Sequence, residues 1–309
     1  MTELYPLLLT PSLHTKVWGG RKLETVLGLE LPTNEPYGEA WLVHDTSTVT
    51  NGTLAGKTLG DLTAEYGTTL IGDGNNPIDG FPLLAKILDA ADWLSVQVHP
   101  NDEQAARLES DPRGKTEAWL ILEADADAQL VIGLQSGTTQ ESMANAIREN
   151  TLEDLLVYAS VKAGDVLFVA ANTVHAIGAG NLLYEIQQSS DITYRLYDWG
   201  RMGLDGNPRQ LHIEKGVQVS NLETIPPIAH PTGAELVRST YFVTERLKET
   251  MTRNTNGKFH ALTCVKGEMR VSAQEIQVSM NMGQSVLIPA SIPHYDVSGD
   301  GELYCSYQP

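Results

Sequence analysis

The chain has 309 residues, 41% hydrophobic and 19% charged, with 27 glycines and 15 prolines, which suits one large or two modest domains of many short strands. Its net charge of −18, from 21 Lys+Arg against 39 Asp+Glu, repels nucleic acid and anionic membranes, so neither is an expected partner, and a phosphorylated ligand would need a local cluster of cations. Cys264 and Cys305 form no CxxC pattern and read as core thiols, and no segment approaches the ~20 apolar residues of a membrane span.

The first twenty residues hold only the short apolar stretch Tyr5–Leu9, with neither a basic lead-in nor a cleavage site, so a cytoplasmic protein is expected. Residues 58–70 carry apolar positions at helical spacing. Two buried strands, Leu83–Leu88 and Trp93–His99, are predicted around the turn Asp89–Asp92. Asn101 with Gln104 three residues on is a capping-box spacing, which predicts a helix over Asp102–Ser110. Thr116–Leu122 and Leu130–Gly133 read as strands, and Gln140–Tyr158 as helical with a break near Asn150-Thr151. Val161–Tyr197 returns to short strands, Met202–Pro208 is a Gly-rich loop, and Pro226-Pro227 with Pro231 marks a domain boundary. Beyond it the chain is strand-like to Pro309. The prediction is a mainly β protein of two domains, 1–228 and 229–309, with a helical insertion at about 136–160 in the first.

An internal echo supports two related units. Gly164 precedes an apolar strand and then His175, and Gly283 precedes another and then His294; both intervals are eleven residues. A glycine turn, a buried strand and a tight turn are expected to aim each imidazole inward.

Three segments carry metal-ligand chemistry. On a strand, Gln97 and His99 point to one side and Val96 and Val98 to the other. Lys115 and Glu117 share a side in the same way, and an inward carboxylate needs a cation, either a metal or Lys115 itself. His175 reads as a core histidine or as a further ligand. Two His, one Glu and one Gln suit a borderline divalent ion, zinc first and manganese, iron or cobalt next. Arg195, flanked by Leu196 and two tyrosines, either pairs with Asp191 or Asp198 or awaits an anionic substrate.

The runs LLAKIL (83–88), LSVQVHPND (94–102), GKTEAW (114–119), NTVHAIGAG (172–180) and EIQQSSDITYRLYDWGR (185–201) resemble the type I mannose-6-phosphate isomerases in their compact bacterial form. The resemblance spans nearly the whole chain and implies two cupin (jelly-roll) β-barrel domains. It implies one Zn2+ per chain, held by Gln97, His99, Glu117 and His175. Arg195 matches the catalytic arginine, and Lys115, Lys86, Glu185 and Asp191 match residues near the active site. We take Lys115 as a second catalytic group and Lys86, Glu185 and Asp191 as substrate-binding. The implied reaction interconverts mannose 6-phosphate and fructose 6-phosphate through a cis-enediol. The expected partner is thus a small sugar phosphate, and the expected state a monomer or weak homo-oligomer. The alternatives are a cupin isomerase of another sugar phosphate, a non-catalytic sugar-phosphate-binding cupin and a metal-dependent oxygenase. The chain departs from the family pattern at Ala170, where proline is common, and near His44-Asp45, where a serine often follows the intact Gly38-Glu39-Ala40-Trp41. In the second domain, His260-Ala261-Leu262 lacks a second ligand, so that unit is expected to be a degenerate cupin without metal. His14, His44, His212 and His230 are expected to be surface or structural residues.

Overall fold

The computed structural model describes residues 3–309, and its strands sort into four sheets. A seven-stranded sheet runs in the order Ile228–Ala229, Val166–Val169, Glu117–Ala124, Asn181–Gln188, Leu83–Ala90, Ser12–Gly20 and Tyr37–Val43. Its central strands Asn181–Gln188 and Leu83–Ala90 are buried at every position, so both faces are covered. One face packs on a three-stranded sheet, Ala176–Ile177, Gln129–Leu134 and Leu156–Ser160, through Leu88, Trp119, Leu130 and Leu183. The other packs on the helices Leu59–Tyr66 and Thr68–Ile71 and on the nine-stranded C-terminal sheet, through Ile87, Tyr184, Leu62, Leu70, Phe259 and Leu287.

The C-terminal sheet is built on two long strands, His260–Ala273 and His294–Tyr307, paired antiparallel. It also takes in the N-terminal strand Leu7–Thr10, which pairs with Ser285–Ile288. The mainly β class is as expected, but closed barrels are not what forms. Among the described residues no sheet closes its whole hydrogen-bond ladder on itself, although Tyr37–Val43 pairs with both Ser12–Gly20 and Leu83–Ala90. Packed sheet faces bury the same alternating side chains without needing a continuous ladder.

Several elements differ from expectation. The helical region predicted over Gln140–Tyr158 breaks where expected, the helix ending at Arg148 and Asn150 turning the chain at φ 59°, but it does not resume as a helix. A short 3-10 turn follows, and then Leu156–Ser160 is a strand, recruited by pairing with Gln129–Leu134. Trp93–His99 keeps strand pairing only over Val96–Val98, whereas Leu83–Leu88 extends to Ala90. A helix over Ile213–Val219 was not anticipated; it packs on Tyr194–Tyr197. The capping box is formed: Asn101 accepts from the Gln104 amide at 2.9 Å, and Gln104 accepts in return from the Asn101 amide at 3.0 Å.

Candidate active site

The short two-stranded sheet seats the first ligand pair. Val96 and Val98 bury themselves in a small core with Tyr194, Leu196 and the helix Gln140–Arg148. Strand alternation then turns Gln97 the other way, and His99 follows it. The backbone of Gln97 exchanges two hydrogen bonds with His175, at 2.9 and 3.0 Å, and Arg195 lies opposite Gln97 on the neighbouring strand. Glu117 enters from the first residue of its strand, opposite Gln187.

His99, Glu117 and His175 are fully buried, and one donor atom from each lies within 4.8 Å of the others. Each imidazole is fixed by a backbone carbonyl. His99 Nδ1 lies 2.8 Å from the Ile192 oxygen and His175 Nδ1 lies 2.8 Å from the Thr173 oxygen. A ring N–H donating there leaves both Nε2 lone pairs aimed at Glu117. Burial lowers the His175 pKa to about 4 and the His99 pKa well below its usual value, so both rings are neutral near pH 7. Both Glu117 oxygens lack a hydrogen-bond donor. Lys115 Nζ stands 2.8 Å from Oε2, but outside hydrogen-bond alignment. Two neutral imidazoles converge on a buried carboxylate that the Lys115 ammonium approaches from one side only, and the three donor atoms together suit a divalent ion. Gln97 carries its amide nitrogen 3.3 Å from His175 Nε2 and 3.5 Å from His99 Nε2. Turning that amide over presents its oxygen as a fourth donor.

Beside this cluster lies a polar cavity of about 280 Å³, whose lining includes Gln97, Lys86, Lys115, Glu185, Asp191 and Arg195. Glu185 is buried and faces Lys86 in register, with its Oε1 3.2 Å from Lys86 Nζ and 3.9 Å from Lys115 Nζ. Trp119 Nε1 donates to its other oxygen at 3.0 Å. Burial alone would lower the Lys115 pKa, but the Glu117 and Glu185 carboxylates outweigh it and hold the ammonium charged. Arg195 donates to Ser95 Oγ at 3.3 Å and to the Gln210 carbonyl at 3.0 Å. The ion pair considered for it is not made: Asp198 pairs instead with Arg201 and Arg209, and Asp191 is exposed. Arg195 therefore has no acidic partner among the described residues.

Three lining residues had escaped the sequence reading. Lys16 pairs with Glu39 at 3.1 Å, and Arg209 donates to Asp198 at 2.6 Å. Only the intact Gly38-Glu39-Ala40-Trp41 run hinted at one of them. Burial would raise the Glu39 pKa, but Lys86 and Lys16 hold it down at about 2. The cavity wall thus sets Lys16, Lys86, Lys115, Arg195 and Arg209 against Glu39, Glu185 and Asp191. That local excess of cations, in a chain of net charge −18, is what an anionic small molecule requires.

The remaining histidines sort by environment. His14 and His44 are partly buried and flank the Trp41 ring, at centroid distances of 4.4 and 4.8 Å. His212 Nδ1 accepts from the Arg195 amide at 3.2 Å, and His230 lies 2.8 Å from Asp165. His294 is exposed, so its imidazole does not point inward as the echo had suggested.

Residues 7–127 match the model for the phosphomannose isomerase type I catalytic domain, and residues 234–308 match the mannose-6-phosphate isomerase cupin domain. The mannose-6-phosphate isomerase of Streptococcus mutans serotype c is 34% identical over 98% of both chains. A Bacillus subtilis mannose-6-phosphate isomerase is 35% identical over 98% of this chain and 98% of its own. A crystal structure of the B. subtilis enzyme superposes with a TM-score of 0.89 at 29% identity, covering 98% of this chain and 99% of that one. A zinc-bound mannose 6-phosphate isomerase shares the fold, with a TM-score of 0.79 at 19% identity over 99% of this chain and all of its own.

Proposed function

The chain belongs to the type I phosphomannose isomerases, and we propose that it interconverts mannose 6-phosphate and fructose 6-phosphate with zinc held by His99, Glu117, His175 and Gln97. The observation that carries this reading is the buried His–Glu–His group behind a cation-rich cavity, with Gln97 and Lys115 both lining the cavity and contacting the group. Such an ion supplies Lewis acidity toward the sugar oxygens, worth several kcal/mol of charge stabilisation.

The reaction moves a proton between carbons 2 and 1 of the sugar. We assign that proton to Glu185. Glu39 is a poor acceptor, because its carboxyl is held at about 2. Asp191 is exposed, and Glu117 is committed to the imidazoles. Glu185 lines the cavity from a buried position, and its Oε1, with Lys86 Nζ at 3.2 Å and Lys115 Nζ at 3.9 Å, has two ammonium groups beside it that can relay or balance the proton it takes. Lys115, charged and only 4% exposed, opposes the negative charge that develops on the enediolate oxygens. Arg195 does the same as a permanent cation, since a guanidinium does not serve as a base. Lys16 and Arg209, more exposed than Lys115 on the same cavity wall, provide for the phosphate, and Lys86 and Asp191 orient the sugar. We take residues 1–228 as the catalytic unit, with the strand Leu7–Thr10 lent to the sheet of residues 229–309.

A coupled isomerase assay with metal analysis on the same sample tests the reading. Chelation should abolish turnover of mannose 6-phosphate and zinc should restore it, while glucose 6-phosphate should turn over far more slowly. Full activity in metal-free protein would overturn the zinc assignment. Preference for glucose 6-phosphate would overturn the substrate.

A further inference from the structure

The first turn of the helix Asp102–Glu109 gathers the site's separate segments. Asp102 follows His99 by three residues. Its Oδ1 accepts from the Gly114 amide and from Gln188 Nε2, each at 2.8 Å. Gln188 in turn accepts from the Thr116 amide at 2.9 Å, and Lys115 donates its amide to the Pro100 carbonyl at 3.0 Å. The contact is close: a Cβ on Gly114 would lie 2.5 Å from the Pro100 oxygen. The peptide carrying Lys115 and Glu117 is therefore laid directly on the turn that follows His99. Two residues on, Gln104 Oε1 accepts from Asn172 Nδ2 at 2.6 Å, which ties in the turn leading to His175.

The second oxygen of Asp102 reaches the other unit. Its Oδ2 accepts from the Tyr241 hydroxyl at 3.0 Å. Tyr241 sits in the turn between the strands Glu235–Arg238 and Val243–Leu247. That turn is braced by Ser239 Oγ, which accepts from the Tyr241 and Phe242 amides, and by Phe242, which is fully buried. Among the described residues no cation pairs with Asp102, so its carboxylate is spent on three neutral donors from three separate parts of the chain.

We infer that Asp102 is a positioning residue for Lys115 and Glu117, and that through Tyr241 the C-terminal unit helps hold the catalytic site in register. This rests on the reading that Lys115 and Glu117 work in the isomerase site. The physical reason is steepness: displacing a reacting group by about 1 Å costs up to about a hundredfold in rate. Gly114, with no side chain of its own, keeps its place only while its neighbours fix it.

The test compares Asp102→Ala, Asp102→Asn and Tyr241→Phe in the zinc-loaded full chain. The measurements are kcat and KM for mannose 6-phosphate, the rate of zinc release to a coloured chelator, and the thermal midpoint. Asp102→Ala should lower kcat by about 10- to 100-fold, with KM little changed and zinc released faster by a similar factor. Asp102→Asn keeps the acceptor oxygen toward Gly114 and should restore most of both. Tyr241→Phe should shift kcat and zinc release in the same direction by less, and it carries the test alone if Asp102→Ala does not fold. Wild-type kcat and zinc release in folded Asp102→Ala, with only the thermal midpoint lowered, would overturn the proposal. Unchanged Tyr241→Phe would overturn the part given to the C-terminal unit. If the zinc-loaded wild type fails to turn over mannose 6-phosphate, the functional reading falls, while zinc release still decides the role of Asp102.

Discussion

Arg195 joins the strand that pairs with Gln97 to the cavity, and its guanidinium is held by a serine hydroxyl and a carbonyl oxygen rather than by an acid. Neutral anchors fix its direction without consuming its charge. Replacing it by alanine should therefore cost kcat about 100- to 1,000-fold, as removing one preorganised donor does, while bound zinc stays near one per chain. Lysine should recover only part of this, because a point charge does not reproduce the planar fork. Steady-state kinetics with metal analysis checks both, and metal loss in Arg195→Ala would make the residue structural. By contrast the neighbouring arginines, Arg201 and Arg209, share Asp198. Their sequence spacing gave no way to tell which of the three would be left unpaired.

At the scale of single elements, the two Gly-to-His segments show where local pattern stops being informative. Gly164 and Gly283 both take positive φ, 90° and 78°, and each opens a buried strand. The first segment then delivers His175 to the interior. In the second, His294 begins the long strand facing outward and Tyr295 takes the inward place. A strand has period two, so a shift of one position exchanges the imidazole for a phenol. Tyr295 then bonds His260 Nδ1 at 2.8 Å in a buried pair. Burial, with Arg253 and Lys258 adding to it, pushes the His260 pKa down to about 3. Below pH 6.5 the unfolded chain takes up a proton here that the folded chain refuses until about pH 3, so this residue's contribution is present above pH 6.5 and is lost as the pH falls toward 3. The loss is at most about 1.4 kcal/mol per pH unit. Urea unfolding of His260→Gln should depend less on pH than the wild type between pH 6 and pH 4. Parallel curves would show that His260 is not held neutral.

At the scale of the whole molecule, one hydrophobic core spans both of the large sheets. The largest core runs from Leu42, Ile87 and Tyr184 on the seven-stranded sheet to Ala261, Leu287 and Tyr304 on the nine-stranded one. Tyr184 Oη lies 2.9 Å from Ser306 Oγ across that contact, and the strand Leu7–Thr10 belongs to the far sheet. The two units should therefore unfold together. All five tryptophans, Trp18, Trp41, Trp93, Trp119 and Trp199, precede residue 229, so their fluorescence reports the first unit, while far-ultraviolet circular dichroism reports both. Coincident urea midpoints are expected. Separated midpoints would mean that the C-terminal unit folds by itself.

Much of the site was legible from neighbouring residues alone. The pairs Gln97/His99 and Lys115/Glu117 come together as the two-residue spacing of extended chain suggests, each with one member just outside its strand, and the Asn101–Gln104 cap forms because its partners are one helical turn apart. The mainly β class followed from the same local signals, and the motif runs pointed to the family. What the sequence could not convey was distance. Lys16, Glu39 and Arg209 reach the cavity only because Ser12–Gly20 and Tyr37–Val43 pair beside Leu83–Ala90 and because the loop after Arg201 folds back on Asp198. Leu156–Ser160 became a strand, and Leu7–Thr10 joined the far sheet, by the same kind of long-range pairing. The contact of Tyr241 with Asp102 spans 139 residues. Periodicity is set by bonds between neighbours and can be read along the chain; which edge meets which edge is set by competition among all buried surfaces, and only the folded molecule resolves it.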